Sequence, residues 1–282
     1  MGCGFKDNEK TFHFVNFDSK RVIKGVKKGS GPGEIIYPSS YQLIQDKFYV
    51  FDPDNKKISQ IDVSSDTTLI LKEIEKVNFD KKLFLINYQK SNMIATGLFE
   101  DAWLATLTTN GKIISKINFP DFEETSDTPK MALSFLYLIT HTSNKPDNKK
   151  VVAVTQDLGV ISFFDYINGE TLKEYKQIKY FAPNFILREN GGISYSKDGL
   201  IGFCGVDCDD KYVYILYSGR TYAEHELKSH YCENLFIYDW DGNPIKHYIL
   251  DIPLISMKYD KAKNSIYGIG YHPEGAFVEY QL

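Results

Sequence analysis

The chain has 282 residues, with 33 Lys and Arg against 37 Asp and Glu, a formal net charge of -4, and 43% apolar and 25% charged residues. That balance offers no basic footprint for nucleic acid and no basic amphipathic segment for a membrane surface. The longest apolar-like run, "MALSFLYLIT" at 131–140, is about half of what a spanning helix needs.

The first ten residues, "MGCGFKDNEK", read as a flexible N-terminal tether (1–10) ahead of a single domain (11–282). Myristoylation would need Ser or Thr at position 6, where Lys6 stands. Cys3 before a polar stretch resembles the lipid-bearing cysteine at the mature start of a bacterial lipoprotein, with an incidental surface cysteine as the other reading.

With 20 Tyr and 19 Phe, the rest is written in short runs of alternating pattern bounded by Gly, Asn, Asp or Pro, which predicts strands throughout. "KKGSGPGE" (27–34) lacks Gly-Lys-Ser/Thr, and Glu34 replaces the last glycine of a dinucleotide fingerprint, so it is an approach loop to the strands "KFYVFD" and "KISQID". Further on, "AWLATLTTNGKIISKIN", "VISFFDYINGETLKEYK" and "LFIYDWDGNPIKHYIL" share one plan. Each is an apolar strand, then Asn-Gly or Asp-Gly, then a more amphipathic strand; the dipeptide supplies the two positive-φ positions of a type I′ hairpin turn.

Each hairpin has further strand-like runs upstream, so the recurring unit is four antiparallel strands. The expected fold is therefore all-β: a six-bladed β-propeller of four-stranded antiparallel blades. Blades are expected near 38–75, 80–120, 132–178, 204–251 and 255–282, with 179–203 as a short or irregular sixth. The last has three strands in sequence, and "TFHFVNF" (11–17) is expected to pair with that C-terminal blade and close the ring.

The stretch "GSGPGEIIYPSSYQLIQDKFYVFDPDNKKISQID", together with "KYVYILYSGR" and "LFIYDWDGNPIKHYILD", resembles bacterial TolB-like six-bladed propellers with NHL-like blades. The resemblance implies a cell-envelope location, in the periplasm or at the outer membrane, and a binding or scaffolding role, and it carries over no catalytic residues. A cytoplasmic location is the alternative.

Asp239, Asp241 and Asn243 have the spacing of the first calcium ligands, but Pro244 and Leu250 fall where an EF-hand loop needs Gly and a bidentate Glu, so the segment is a turn. "HELKSH" (225–230) separates its histidines by five residues, about 140° around a helix, where a zinc protease needs four. Cys204 and Cys208 lie four residues apart on a predicted strand, about 13 Å, too far to share one zinc ion. A disulfide from Cys232 to Cys204 or to Cys208 stays open. No Gly-x-Ser-x-Gly elbow occurs.

The insertion "SGRTYAEHELKSHYCEN" (218–234) has the composition of a recognition loop, and Arg220, Tyr222, His225, His230 and Tyr231 are its candidate contacts for a ligand or partner. No metal, cofactor or catalytic residue is expected. The partner would be a protein, peptide or carbohydrate rather than nucleic acid, contact with a membrane would run only through a lipid anchor, and the chain is expected to be monomeric. The alternative is a propeller-type hydrolase or lyase with converging side chains in the central channel.

Overall fold

The computed structural model describes residues 10–16, 19, 21–65, 68–271 and 273–282. The tether residues 1–9, and Cys3 with them, lie outside the described residues. Small sheets succeed one another along the chain, as in a propeller. Strands β1 (Lys10–Asn16), β2 (Arg21–Lys28) and β3 (Glu34–Ile35) form the first. The second is β4 (Ser40–Ile44), β5 (Lys47–Asp52), β6 (Lys57–Ser65) and β7 (Thr68–Lys76), and the third β8 (Leu83–Tyr88), β9 (Asn92–Gly97), β10 (Leu104–Thr108) and β11 (Ile113–Ile117). Helix α1 (Lys130–Leu136) precedes β12 (Thr140–Asn144), β13 (Lys150–Thr155), β14 (Val160–Ile167) and β15 (Thr171–Lys179). A ribbon of β16 (Phe185–Leu187) and β17 (Ile193–Tyr195) follows. The last sheet has six strands: β18 (Phe203–Cys208), β19 (Tyr212–Tyr217), β20 (Cys232–Asp239), β21 (Pro244–Asp260), β22 (Ser265–Tyr271) and β23 (Gly275–Gln281). The β19–β20 connection carries helix α2 (Tyr222–His225).

The chain divides into two compact units, one of residues up to 95 with 107–113, the other of residues 96–106 with 114–282. In the first, Phe12, Ile23, Val26 and Ile35 of the opening sheet bury against Val50, Ile61 and Leu69 of β5, β6 and β7. The phenyl rings of Phe14 and Phe48 meet edge to face at 5.6 Å. In the second, Val152, Val154, Ile161 and Phe163 pack directly on Phe203, Val213, Ile215, Tyr238 and Trp240. Trp103 is buried beside Tyr137 and Phe164, and its indole Nε1 donates to Thr140 Oγ1 at 2.8 Å.

Four expectations are corrected. The N-terminal strand does not pair with the C-terminal blade: β1 runs antiparallel to β2, from Lys10↔Lys27 to Asn16↔Arg21, and belongs to a different sheet from β23. A local hairpin that buries Phe12 closes a far shorter loop than pairing with the far end of the chain. Segment 179–203 is not a blade, because the β12–β15 sheet packs straight onto the β18–β20 strands; its two strands of three residues form only a ribbon, in which Ile186 and Leu187 are exposed and no residue is fully buried. Residues 130–136 are helical where a blade was expected to begin, with Ala132 and Leu136 one turn apart and both buried. Finally, β21 runs unbroken across the expected blade boundary, pairing with β20 up to Cys232↔Leu254 and with β22 from Leu254↔Gly270.

The hairpin turns differ in kind. Asn168 (φ 54) and Gly169 (φ 69) both adopt the left-handed region, as a type I′ turn requires. At 108–112 and 239–243 only Gly111 and Gly242 do so, and Thr108 N–H to Lys112 O and Asp239 N–H to Asn243 O close three-residue loops with a glycine bulge. Asp239 fills the metal-like spacing with turn bonds: its Oδ1 accepts from Asp241 and Asn243 amides at 3.0 and 2.8 Å.

Candidate functional site

Residues 218–231 leave β19 and are laced to residues 197–202 by main-chain hydrogen bonds. Ser218 N–H donates to Gly202 O, Gly219 N–H to Ile201 O, Ile201 N–H to Arg220 O, and Ala223 N–H to Lys197 O. Gly202 N–H donates in turn to Gln156 O at 2.6 Å in the β13–β14 turn. A Cβ at Gly202 would lie 2.9–3.1 Å from the carbonyl oxygens of Leu158, Thr155 and Gln156, so only glycine allows this approach.

The insertion is also braced from within. Thr221 Oγ1 accepts from Glu224 N–H at 3.3 Å and caps α2. Ser218 Oγ donates to Ser229 O at 2.5 Å, and the Arg220 guanidinium bonds Lys228 O at 3.3 Å and pairs with Glu233. Glu226 (φ 51) ends the helix and turns the chain into a 3-10 turn through His230.

Beneath this loop, four side chains from four separate segments converge. Cys204 on β18 packs against the apolar cluster that holds Cys232 of β20, and Cys232 Sγ lies 3.7 Å from His230 O. Asp157, in the β13–β14 turn, lies close enough to feel the His230 charge and the Tyr195 hydroxyl. Tyr195 also donates to Phe135 O at the end of α1 at 2.9 Å. The neighbouring Cys232 thiol, then His230, lowers the Cys204 thiol below the ordinary range, against the resistance of burial. Cys232, which is fully buried, is raised by the neighbouring Cys204 and by burial. His230 is raised by Cys204, and burial pushes Asp157 up to about 6.

The candidate residues divide into two groups. Tyr222 stands 43% exposed on α2 beside the partly exposed His225. Arg220 and Tyr231 are turned to their neighbours, Arg220 in the bonds above and Tyr231 with its ring 5.4 Å from that of Tyr271. His230 is exposed, and its carbonyl oxygen lies 3.7 Å from Cys232 Sγ. Leu227, 80% exposed at the tip, and Asp157 and Tyr195 were not among the sequence candidates. Cys204, Cys208 and Cys232 are free thiols, and Cys208 bonds Ser143 Oγ and Asn144 O at 3.2 and 3.0 Å. Among the described residues no group of three or more His, Cys, Asp or Glu side chains is arranged to hold a metal ion.

Small antiparallel sheets joined by short turns, with loops laced together at one end of neighbouring sheets, define a β-propeller scaffold. The chain belongs to the TolB-like 6-blade propeller-like family, which matches residues 4–261. No curated protein matches it. Among solved structures it is similar to a protein from Lactobacillus plantarum, at 9% identity and TM-score 0.56, covering 100% of this chain and 93% of that one. It is also similar to a chain of the mitotic checkpoint complex, at 10% identity and TM-score 0.51, covering 97% and 68%. Raptor from Chaetomium thermophilum matches at 9% identity and TM-score 0.49, with 86% of this chain covered, and this chain spans only 18% of Raptor's length. These likenesses concern the fold alone.

Proposed function

We propose that the protein is a non-catalytic binding propeller of the bacterial cell envelope that presents the 218–231 insertion to a protein or peptide partner. One observation carries this reading. The insertion is held by its own hydrogen bonds and by those to residues 197–202, yet its outward side chains, Leu227 and Tyr222, are large, apolar and unburied. A loop fixed before binding loses little entropy on docking, and aromatic and aliphatic side chains displayed on such a loop are the usual anchors of an interface. In this reading Arg220 positions the loop through Glu233 and Lys228 O, and Tyr222, His225 and Leu227 meet the partner.

The envelope location rests on the family and on Cys3 as the lipid-bearing residue; among the described residues no helix is long and apolar enough to cross a membrane. Labelled palmitate should enter the protein in its host and be lost in Cys3→Ser; labelling that persists in that variant contradicts the anchor. For the loop, partners captured by the wild type should be lost by Leu227→Asp and Tyr222→Ala and kept by Ile249→Asp, a control at an equally exposed position on β21. Equal capture by all variants contradicts the assignment.

A further inference from the structure

The outer strands β7, β11 and β15 are guarded against adding another strand, and β23 is not. An exposed edge offers its amides and carbonyls to any extended chain, and lysines, prolines and bulges are what keep it solitary. Strand β7 carries Lys72 and Lys76 and shifts register against β6; β15 carries Lys173, Lys176 and Lys179 and shifts against β14; β11 has only five residues, Lys116 among them. Strand β23, GAFVEYQ, is outermost in the last sheet and has no lysine and no proline. It follows β22 without a shift from Ser265↔Gln281 to Tyr271↔Gly275. Its one charge is Glu279, whose Oε1 accepts from the Tyr267 hydroxyl at 2.7 Å. Beyond Leu254, moreover, β21, β22 and β23 make three strands, where β4–β7, β8–β11 and β12–β15 each make four.

We propose that β23 pairs with β23 of a second copy of this chain, antiparallel and in full overlap about a two-fold axis at Val278, joining the two sheets edge to edge.

The register decides which main-chain groups are on offer. Leu282 N–H donates to Asn264 O, so those two residues form a hydrogen-bonded pair, and in an antiparallel ladder such pairs alternate with non-bonded ones. Counting back through Ser265↔Gln281, Ile266↔Tyr280 and Tyr267↔Glu279, the even-numbered residues of β23 turn their main-chain groups to β22 and the odd-numbered ones turn theirs outward. Among the described residues, no strand receives the outward groups of Gly275, Glu279 and Gln281. Ala276, Glu279 and Gln281 are exposed, and Val278 and Tyr280 half-buried.

The strand complements itself, which is why the occupant is a second copy. Two copies in full overlap place Gly275 opposite Gln281 and Phe277 opposite Glu279, outward residue against outward residue, as a hydrogen-bonded ladder needs. Ala276 falls opposite Tyr280, and Val278 opposite itself, so the even-numbered pairs are apolar. The carboxylates stay apart, whereas a slide of two residues sets Glu279 against Glu279. A foreign peptide would require none of this symmetry. The contact is isologous and closes at two copies. One strand edge is a small interface, so the dimer forms and dissociates with concentration. It departs from the monomer expected from the sequence, and it does not use the 218–231 insertion, so it stands apart from the proposed function.

The test is sedimentation equilibrium of the full reduced chain in a Cys3→Ser background, from low to high micromolar concentration. The mass should rise from one chain towards two and stop there. Glu279→Pro removes an outward amide that β22 does not use, and proline is tolerated on such an edge, so this variant should keep the circular dichroism of its parent and stay monomeric over the same range. Val278→Cys reads the register independently of that fold. A non-hydrogen-bonded antiparallel pair brings Cα atoms to about 4.5 Å, within disulfide reach, so mild oxidation should give a covalent dimer with its bridge mapped to position 278 of both copies. A Cβ at Gly275 would meet nothing within 4 Å, yet in this register the two copies of that residue stand about 20 Å apart, so Gly275→Cys should not crosslink. A parent chain that stays monomeric, leaving the edge to a foreign strand, would overturn the proposal. So would assembly beyond two copies, a dimer that Glu279→Pro leaves intact, or crosslinking at position 275 in place of 278.

Discussion

Asp207 on β18 holds Lys258 on β21: its Oδ1 lies 2.6 Å from the Lys258 ammonium while its Oδ2 accepts the Tyr259 amide at 2.8 Å. The carboxylate is almost fully buried and the lysine largely exposed, so the two ends of the pair differ in what they contribute. Removing the carboxylate leaves a half-buried amide without this partner; removing the ammonium leaves a buried carboxylate that still has one partner. Asp207→Ala should therefore lower unfolding free energy by about 2–3 kcal/mol, and Lys258→Met by about 1 kcal/mol, in urea denaturation. Equal effects would show that the ion pair, rather than the amide bond, is what matters.

The hairpin glycines differ in what surrounds them. A Cβ at Gly111 (φ 88) would lie 1.6 Å from the Asn78 carbonyl oxygen, whereas one at Gly169 (φ 69) would meet nothing within 4 Å. Gly169→Ala carries only the left-handed backbone cost, about 1 kcal/mol. Gly111→Ala adds a collision with main chain and should cost about 3 kcal/mol or more, read as the difference between the two urea midpoints.

His141, on β12, has its Nε2 buried without a hydrogen-bond partner, and burial lowers its basicity to about 4. The unfolded chain takes up this proton near pH 6.5 and the folded chain does not until near pH 4, so stability falls as pH drops through that window. The loss is at most about 3 kcal/mol. Asp157, raised to about 6, acts in the opposite sense, gaining stability as pH falls from 6 towards its unfolded value. The histidine effect is therefore read as the difference between wild type and His141→Phe: the gap in stability should shift in favour of the variant between pH 7 and pH 4.5. A gap that stays constant would contradict the assignment.

The repeat was legible because a hairpin is a local object. "YINGETL" and "DWDGNPI" hold their strands and their turn within a few residues, and Asp239 saturates its carboxylate with amides two and four positions on. The turn type at Asn110 and Asp241 was not legible, since a glycine bulge and a type I′ turn share the same dipeptide. Pairing of the N-terminal strand depends on which distant apolar face wins Phe12, a competition that alternation cannot express. The thiol cluster was partly visible: Cys204, Cys232 and His230 each stood out, but Asp157 and Tyr195 reach them from other segments and carry no local signal.

The claim that the 218–231 insertion is the contact surface is tested most directly by a photo-crosslinking amino acid placed at Leu227 in the living host, with the same residue at Asn168 in the β14–β15 turn as control. The account predicts one discrete protein adduct from position 227, abolished by Tyr222→Ala and absent from position 168. The same adducts from both positions, or none from position 227, would contradict it.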